Sequence, residues 1–519
     1  MISRMSPQEA SGDLSRIVQS SQQTKAARLC HLATRDREQA FTLLKQVATD
    51  CSRPLYHFTN AGRNRWNAAE LRWDVVGGET RDDVSLLRAA GDVRGGGIVA
   101  TEECLPKMRD DGGDPNMRMT LAQMLSPDAL HDGVVLVFVE PPEARKYLPS
   151  MLADRFVKLE VGYPGVEELT DLARDEIAVA MYRSGAAADY GVINRQAERL
   201  AACLAGLTRS AARDDLRDAL SRAPLDFDQA AAWLQIRKER RLQLELSMNI
   251  LKAQEEEEAL GLDYLMEYLL VNKDRMREFG SGRARGALLI GPPGTGKTMI
   301  ARSMGRVAGL PVVDFKPQLL MNSLLGETER RFNQAFGALE AMSPNVVFMD
   351  EFDKALGGSS SERDGGTMMR CTGTFLSWLS DNPYPNYIVG TSNNLERMGD
   401  IGLSLTRSER FDALFFVDVP HTDTRRRMLQ KWIAGKLDDP VAAADELAGL
   451  TDKFSGADLR SVVKQTEILA EHRGENVTLD LLKAEVEKKR PRVLALYDEF
   501  QALRRWGRTY CESAGPTTV

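Results

Sequence analysis

Residues Gly291-Pro292-Pro293-Gly294-Thr295-Gly296-Lys297-Thr298 constrain this chain more than any other stretch. A short apolar run, Ala287 to Ile290, precedes them, and helical pattern follows from Met299 to Ala308. A glycine-rich turn between strand and helix lets successive backbone N–H groups point inward around an anion. The helix N-terminus adds partial positive charge. A lysine at the helix start reaches the β and γ phosphates of a nucleotide, and the next hydroxyl takes a place on Mg²⁺. The string reads as a phosphate loop, with Gly291 to Met299 holding nucleotide and Thr298 the metal. Such a loop belongs at the carboxyl edge of a parallel sheet.

The rest of the composition narrows the setting. A length of 519 residues suggests two to four domains. The formal net charge of −7 argues against general nucleic-acid binding, which leaves a basic footprint. The basic clusters Arg237 to Arg241 and Lys488 to Arg490 read as solvated helix faces. The six cysteines form no Cys-x-x-Cys pair, as expected of reduced thiols in a cytoplasmic protein. No His-Glu-x-x-His and no apolar run of about 18 residues occurs, so neither a zinc protease nor a membrane span is expected. Residues 1–23 are polar and are expected to be disordered.

Short apolar runs at Leu29–Ala33, Pro54–Phe58, Gly97–Thr101, Val134–Glu140 and Phe156–Val161 alternate with helical pattern, which predicts an α/β domain over residues 24–223. Residues 224–260 read as a helical linker. Residues 261–420 alternate again: strands are expected at Ala287–Ile290, Val312–Phe315, Val346–Met349, Tyr387–Thr391 and Leu414–Val417. This predicts a parallel sheet flanked by helices. A helical lid is expected over 421–485, then a C-terminal helix and tail over 486–519.

Val346 to Met349 ends in Asp350-Glu351. A buried strand places both acids beside the phosphate loop, Asp350 to hold Mg²⁺ and Glu351 to orient and polarise the attacking water. The next strand ends in Thr391-Ser392-Asn393-Asn394, where Asn393, preferred over Asn394, can hold that water in line. Arg407 and Arg410 are of the type that stabilises charge on a transferring phosphoryl group. In Ser455-Gly456-Ala457-Asp458, Ser455 or Asp458 can cap a lid helix, and Gly456-Ala457 let backbone approach the nucleotide.

In this order the motifs resemble the AAA branch of the AAA+ ATPases, over Gly261 to about Glu485. The resemblance implies a P-loop NTPase core with a helical lid, Mg²⁺-dependent ATP hydrolysis, Asn393 as sensor 1 and Gly456-Ala457 as the sensor 2 segment. It also implies that Arg407 and Arg410 are paired arginine fingers acting on a neighbouring subunit, hence a homo-oligomeric ring, usually a hexamer. Where many AAA unfoldases carry an aromatic-apolar-glycine pore loop, this chain has Leu324-Leu325-Gly326. Leucine lacks the broad flat face of an aromatic ring. Gly357 to Gly366 reads as a flexible loop.

Arg53-Pro54-Leu55-Tyr56, Gly373 to Leu379, Phe415 to Pro420 and Ala502 to Trp506 are similar to the Ycf-type AAA family of plastids, cyanobacteria and other bacteria. That resemblance implies a degenerate AAA-like domain ahead of the active one. Leu29 to Thr34 would be its first strand, but Arg35-Asp36-Arg37-Glu38 follows in place of a glycine turn and lysine, so no phosphate can be wrapped. Gly97 to Glu103 would stand in the place of the acidic strand. The domain is then expected to dock a protein client or pack the ring. The reading is a protein-remodelling ATPase; a nucleotide-switched scaffold is the alternative, and a nucleic-acid motor is disfavoured.

Overall fold

The computed structural model describes residues 7–126, 132–186, 189–223, 225–251, 260–280, 282–320, 327–353, 367–393 and 410–516. The chain divides into two compact units, Met1–Lys238 and Glu239–Val519.

The first unit begins with α1 (Pro7–Thr24), not with disorder as expected for residues 1–23. Ala10, Leu14 and Val18 recur every four residues and are buried with Leu43, Leu44 and Val47. The overall polarity of the segment hides this one apolar stripe. There follow β1 (Arg28–Ala33), α2 (Arg37–Asp50), β2 (Leu55–Thr59), β3 (Gly62–Asn67), β4 (Arg72–Gly77), α3 (Asp83–Gly91), β5 (Gly97–Glu102), α4 (Pro115–Met124), β6 (Val134–Glu140) and β7 (Phe156–Glu160). Their sheet runs β4-β3-β2-β5-β6-β1-β7. Four helices close the unit: α5 (Val166–Arg183), α6 (Tyr190–Leu204), α7 (Arg209–Arg222) and α8 (Phe227–Leu246). Gly185, in a left-handed turn, follows α5 and ends it short of α6. Ala230, Ala231 and Leu234 of α8 are buried in the core of these helices, so this part of the expected linker belongs to the first unit.

The second unit opens with β8 (Met248–Leu251), α9 (Asp263–Asn272), β9 (Gly286–Ile290), α10 (Lys297–Ala308) and β10 (Val312–Phe315). It continues with α11 (Glu327–Ala341), β11 (Asn345–Met349), α12 (Thr367–Asp381), β12 (Asn386–Ser392) and β13 (Ala413–Phe416). Its end comprises α13 (Thr422–Ile433), α14 (Pro440–Leu450), α15 (Gly456–Arg473), α16 (Leu479–Glu499), α17 (Gln501–Tyr510) and β14 (Glu512–Ser513). The sheet runs β14-β13-β9-β12-β11-β10-β8. Every residue of β9, β11 and β12 is buried, which explains apolar runs in place of alternation. The sheet is not wholly parallel: β8 pairs antiparallel with β10 at one edge, and four residues with a polar Asn249 carry too little pattern to reveal it. The lid core takes in Val493, so the expected boundary at 485 falls inside α16. The tail returns to the sheet, where β14 pairs with β13 and Ala514 is buried.

The two sheets share one plan. In the first unit β7-β1-β6-β5-β2, and in the second β13-β9-β12-β11-β10, are mutually parallel. In both, numbered along the chain, the order is fifth, first, fourth, third, second. Four helices, α5 to α8, follow the fifth strand of the first unit, and five, α13 to α17, follow that of the second. β1 therefore stands in the place of β9, and β5 in that of β11.

Candidate nucleotide site

The loop from β9 to α10 turns on its glycines. Gly294 and Gly296 have φ of +81° and +90°. A Cβ on Gly291 would lie 2.0 Å from the Val417 carbonyl oxygen. Gly296, the N-cap of α10, supplies no side-chain acceptor to the helix's first amides. An anion-sized cradle at a helix N-terminus is what a nucleotide phosphate requires.

Lys297 opens α10 and is buried. Its Nζ donates to the carbonyl oxygens of Gly291 and Pro292, each at 2.8 Å, and to Asn393 Oδ1 at 2.9 Å. Burial pulls its pKa down to about 8, against the opposing pull of Asp350 and Asp353. Thr298 lies in the same helical turn; its side chain is outside the described set, as are Arg407, Leu324, Leu325, Gly326 and the loop 354–366.

Asp350 and Glu351 follow β11 directly. Thr391 Oγ1, on the neighbouring β12, donates to Asp350 Oδ1 at 2.5 Å and accepts the Glu351 N–H at 3.0 Å. Glu351 has φ +50°, a costly conformation for a glutamate and one that clusters at functional sites. Asp353 is buried; burial raises its carboxyl pKa, while hydrogen bonds from the Asn393 backbone and the Ser392 side chain oppose the rise. Asp353 therefore fixes the strand end that carries Asn393.

The lid meets the loop through the start of α15. Ala457 N–H donates to the Gly294 carbonyl at 3.1 Å. Ser455 and Asp458 both serve the cap, as a reciprocal capping box. Arg410 lies elsewhere. It precedes Asp412, whose Oδ2 accepts from the Arg285 and Gly286 N–H groups at 2.5 and 3.0 Å. β13 runs parallel to β9, so Arg410 stands where β9 begins and the phosphate loop where it ends. Five strand residues, roughly 16 Å, separate these levels.

The family model for the ATPase family associated with various cellular activities (AAA) matches residues 287–419. This chain carries an AAA domain. Its AAA domain is similar to the ycf46 AAA domain-containing proteins of Trieres chinensis, 33% identical over 39% of this chain and 41% of the relative, and of Pyropia yezoensis, 28% identical over 47% and 51%. It is also similar to the ATP-dependent zinc metalloprotease FtsH 3 of a Synechocystis strain, 32% identical over 46% of this chain and 38% of the relative. The matches thus span about half or less of these relatives' lengths. A crystal structure of the FIGL-1 AAA domain aligns at 20% identity over 53% of this chain and 95% of that one, with a TM-score of 0.42.

The structure brings together the AAA domain's Gly291 to Lys297, Asp350, Glu351, Asn393, Gly456 and Ala457, and sets Arg410 apart. Sequence reasoning missed Thr391 and Asp353. Thr391 carried one signal, a hydroxyl on an otherwise apolar strand directly before the amide; Asp353, three residues past Asp350, had none that separates it from a solvated helix start. No helix among the described residues is long and apolar enough to cross a membrane.

Proposed function

We propose that the second unit hydrolyses the β–γ phosphoanhydride of ATP, within a homo-oligomeric ring, as a hexamer. The contact of Lys297 Nζ with Asn393 Oδ1 carries this reading, because it puts a phosphate-binding cation and a water-positioning amide on one spot. Mg²⁺, held by Thr298 and Asp350, would neutralise charge on the β and γ phosphates. Lys297 exchanges its loop carbonyls for phosphate oxygens. Glu351 orients and polarises the attacking water, and Asn393 keeps it in line. Arg410, one strand away from its own loop, is offered with Arg407 to a neighbouring subunit. None of the six cysteines forms a disulfide, which suits a reducing compartment that we take to be the cytoplasm.

Lid movement against the core would remodel a protein client bound through the first unit. Glu351→Gln tests the chemistry: ATP binding is retained while turnover falls about 10²- to 10⁴-fold. Wild-type turnover by that variant refutes the reading. Leu324→Ala tests the work: a remodeller loses client processing but keeps ATPase activity. A nucleotide-switched scaffold is untouched.

A further inference from the structure

The junction β1–α2 occupies in the first unit the place that the phosphate loop occupies in the second. Only Thr34, Arg35 and Asp36 connect its strand to its helix. Asp36 is 4% exposed, and its Oδ1 accepts the N–H groups of Glu38 and Gln39 at 3.0 and 3.2 Å. Its other oxygen, Oδ2, accepts the Ser210 N–H at 3.1 Å. Ser210 belongs to the first turn of α7, the third helix after the fifth strand. In the second unit the third such helix is α15, whose first turn reaches the phosphate loop through Ala457. One carboxylate thus bridges the two helix N-termini between which the second unit would hold a nucleotide phosphate.

Ion pairs reinforce the bridge. Arg209, 8% exposed, lies 3.0 Å from Glu168 Oε1 and 3.5 Å from Glu38 Oε1. Arg213 meets Glu38 at 2.7 Å and Glu176 at 3.5 Å, and Arg217 meets Glu176 at 2.8 Å. Glu38 is in the first turn of α2, so core and helical cap are joined by opposite charges on both sides of Asp36.

We propose that Asp36 is a built-in substitute for the nucleotide phosphate, which keeps the helical cap of the first unit closed whatever nucleotide the second unit holds. A carboxylate is an anion of the right sign for two helix N-termini, and it is covalently held where a phosphate would have to bind. The first unit then presents an invariant surface while the second cycles.

Hydrogen exchange on the full chain, with and without ATP in the Glu351→Gln background, tests this together with a count of nucleotides bound per chain. The phosphate loop at 291–298 reports binding independently, so a failure of ATP to bind there is seen separately. With the loop protected, the expected results are one nucleotide per chain and equal protection of residues 209–213 in both states. A second nucleotide per chain, or ATP-dependent protection of that turn, overturns the proposal. Asp36→Asn keeps a good helix cap but offers only one acceptor oxygen; exchange at 209–213 should then rise about tenfold or more. Unchanged exchange in a folded Asp36→Asn protein would show that Asp36 is not the lock. The comparison of the wild-type first unit across nucleotide states stands even where that variant does not fold.

Discussion

Lys297 Nζ and Asn393 Oδ1 lie 2.9 Å apart, joining the start of α10 to the end of β12. The lysine also satisfies two loop carbonyls, so its positive charge is held on the protein's own oxygens. These are exchangeable partners for phosphate. Lys297→Ala is expected to lower ATP affinity at least about tenfold, since one charge-assisted hydrogen bond is worth about 1.5–3 kcal/mol. Titration with a fluorescent nucleotide measures it; unchanged affinity would refute the assignment.

Arg410 stands one strand length from its own phosphate loop. Arg410→Ala is expected to keep ATP binding and lose about 10³–10⁵ in turnover. Mixing it with Lys297→Ala subunits decides the geometry. Two inactive variants should regain part of the activity when mixed, because one supplies the loop and the other the arginine. No recovery in verified mixed rings would place the arginine's action within its own chain.

Asp353 accepts hydrogen bonds from the Asn393 backbone and the Ser392 side chain. Asp353→Asn should lower kcat about tenfold while KM changes little, the mark of an interaction that matters in the transition state. A change confined to KM would show instead that Asp353 serves ATP binding.

His31 is fully buried in β1, and neither ring nitrogen has a hydrogen-bond partner. Burial, then Arg145 and Lys158, pulls its pKa down to about 4 from 6.5. The unfolded chain binds the extra proton between these values. Stability from this group is therefore complete above pH 6.5 and is lost as pH falls through 4, by on the order of 3 kcal/mol. Urea unfolding at pH 7 and pH 4.5 should show a smaller difference for His31→Phe than for wild type. Equal pH dependence would contradict it.

Arg504 is buried against Asp418 at 2.8 Å and stacks 3.6 Å above the Tyr497 ring. It ties α17 to the segment after β13. Arg504→Met leaves half-buried Asp418 with the Val419 N–H but without its charged partner, a loss of about 1.5–3 kcal/mol. The midpoint of urea unfolding of the second unit should fall accordingly; a shift under 1 kcal/mol would mean that the tail is fastened elsewhere.

The order of apolar runs was enough to place the strands β9 to β13, because buried parallel strands are continuous apolar runs, and the string Gly291 to Thr298 marked a phosphate loop, which tolerates few residue types. Local sequence could not show that polar residues 7–24 form a helix with one buried stripe, nor that β8 and β14 complete the sheet. Those depend on partners far along the chain, such as Val312–Phe315 for β8 and Phe415 and Phe416 for β14. Nor could it show what fills the P-loop-less junction of the first unit. The string Arg35-Asp36-Arg37-Glu38 said only that no phosphate could be wrapped. It took the approach of Ser210 and Arg209, more than 170 residues on, to turn Asp36 from a helix cap into the anion between two helices. A side chain's neighbours along the chain set its conformation, but its electrostatic role is set by the charges and dipoles that tertiary folding brings to it.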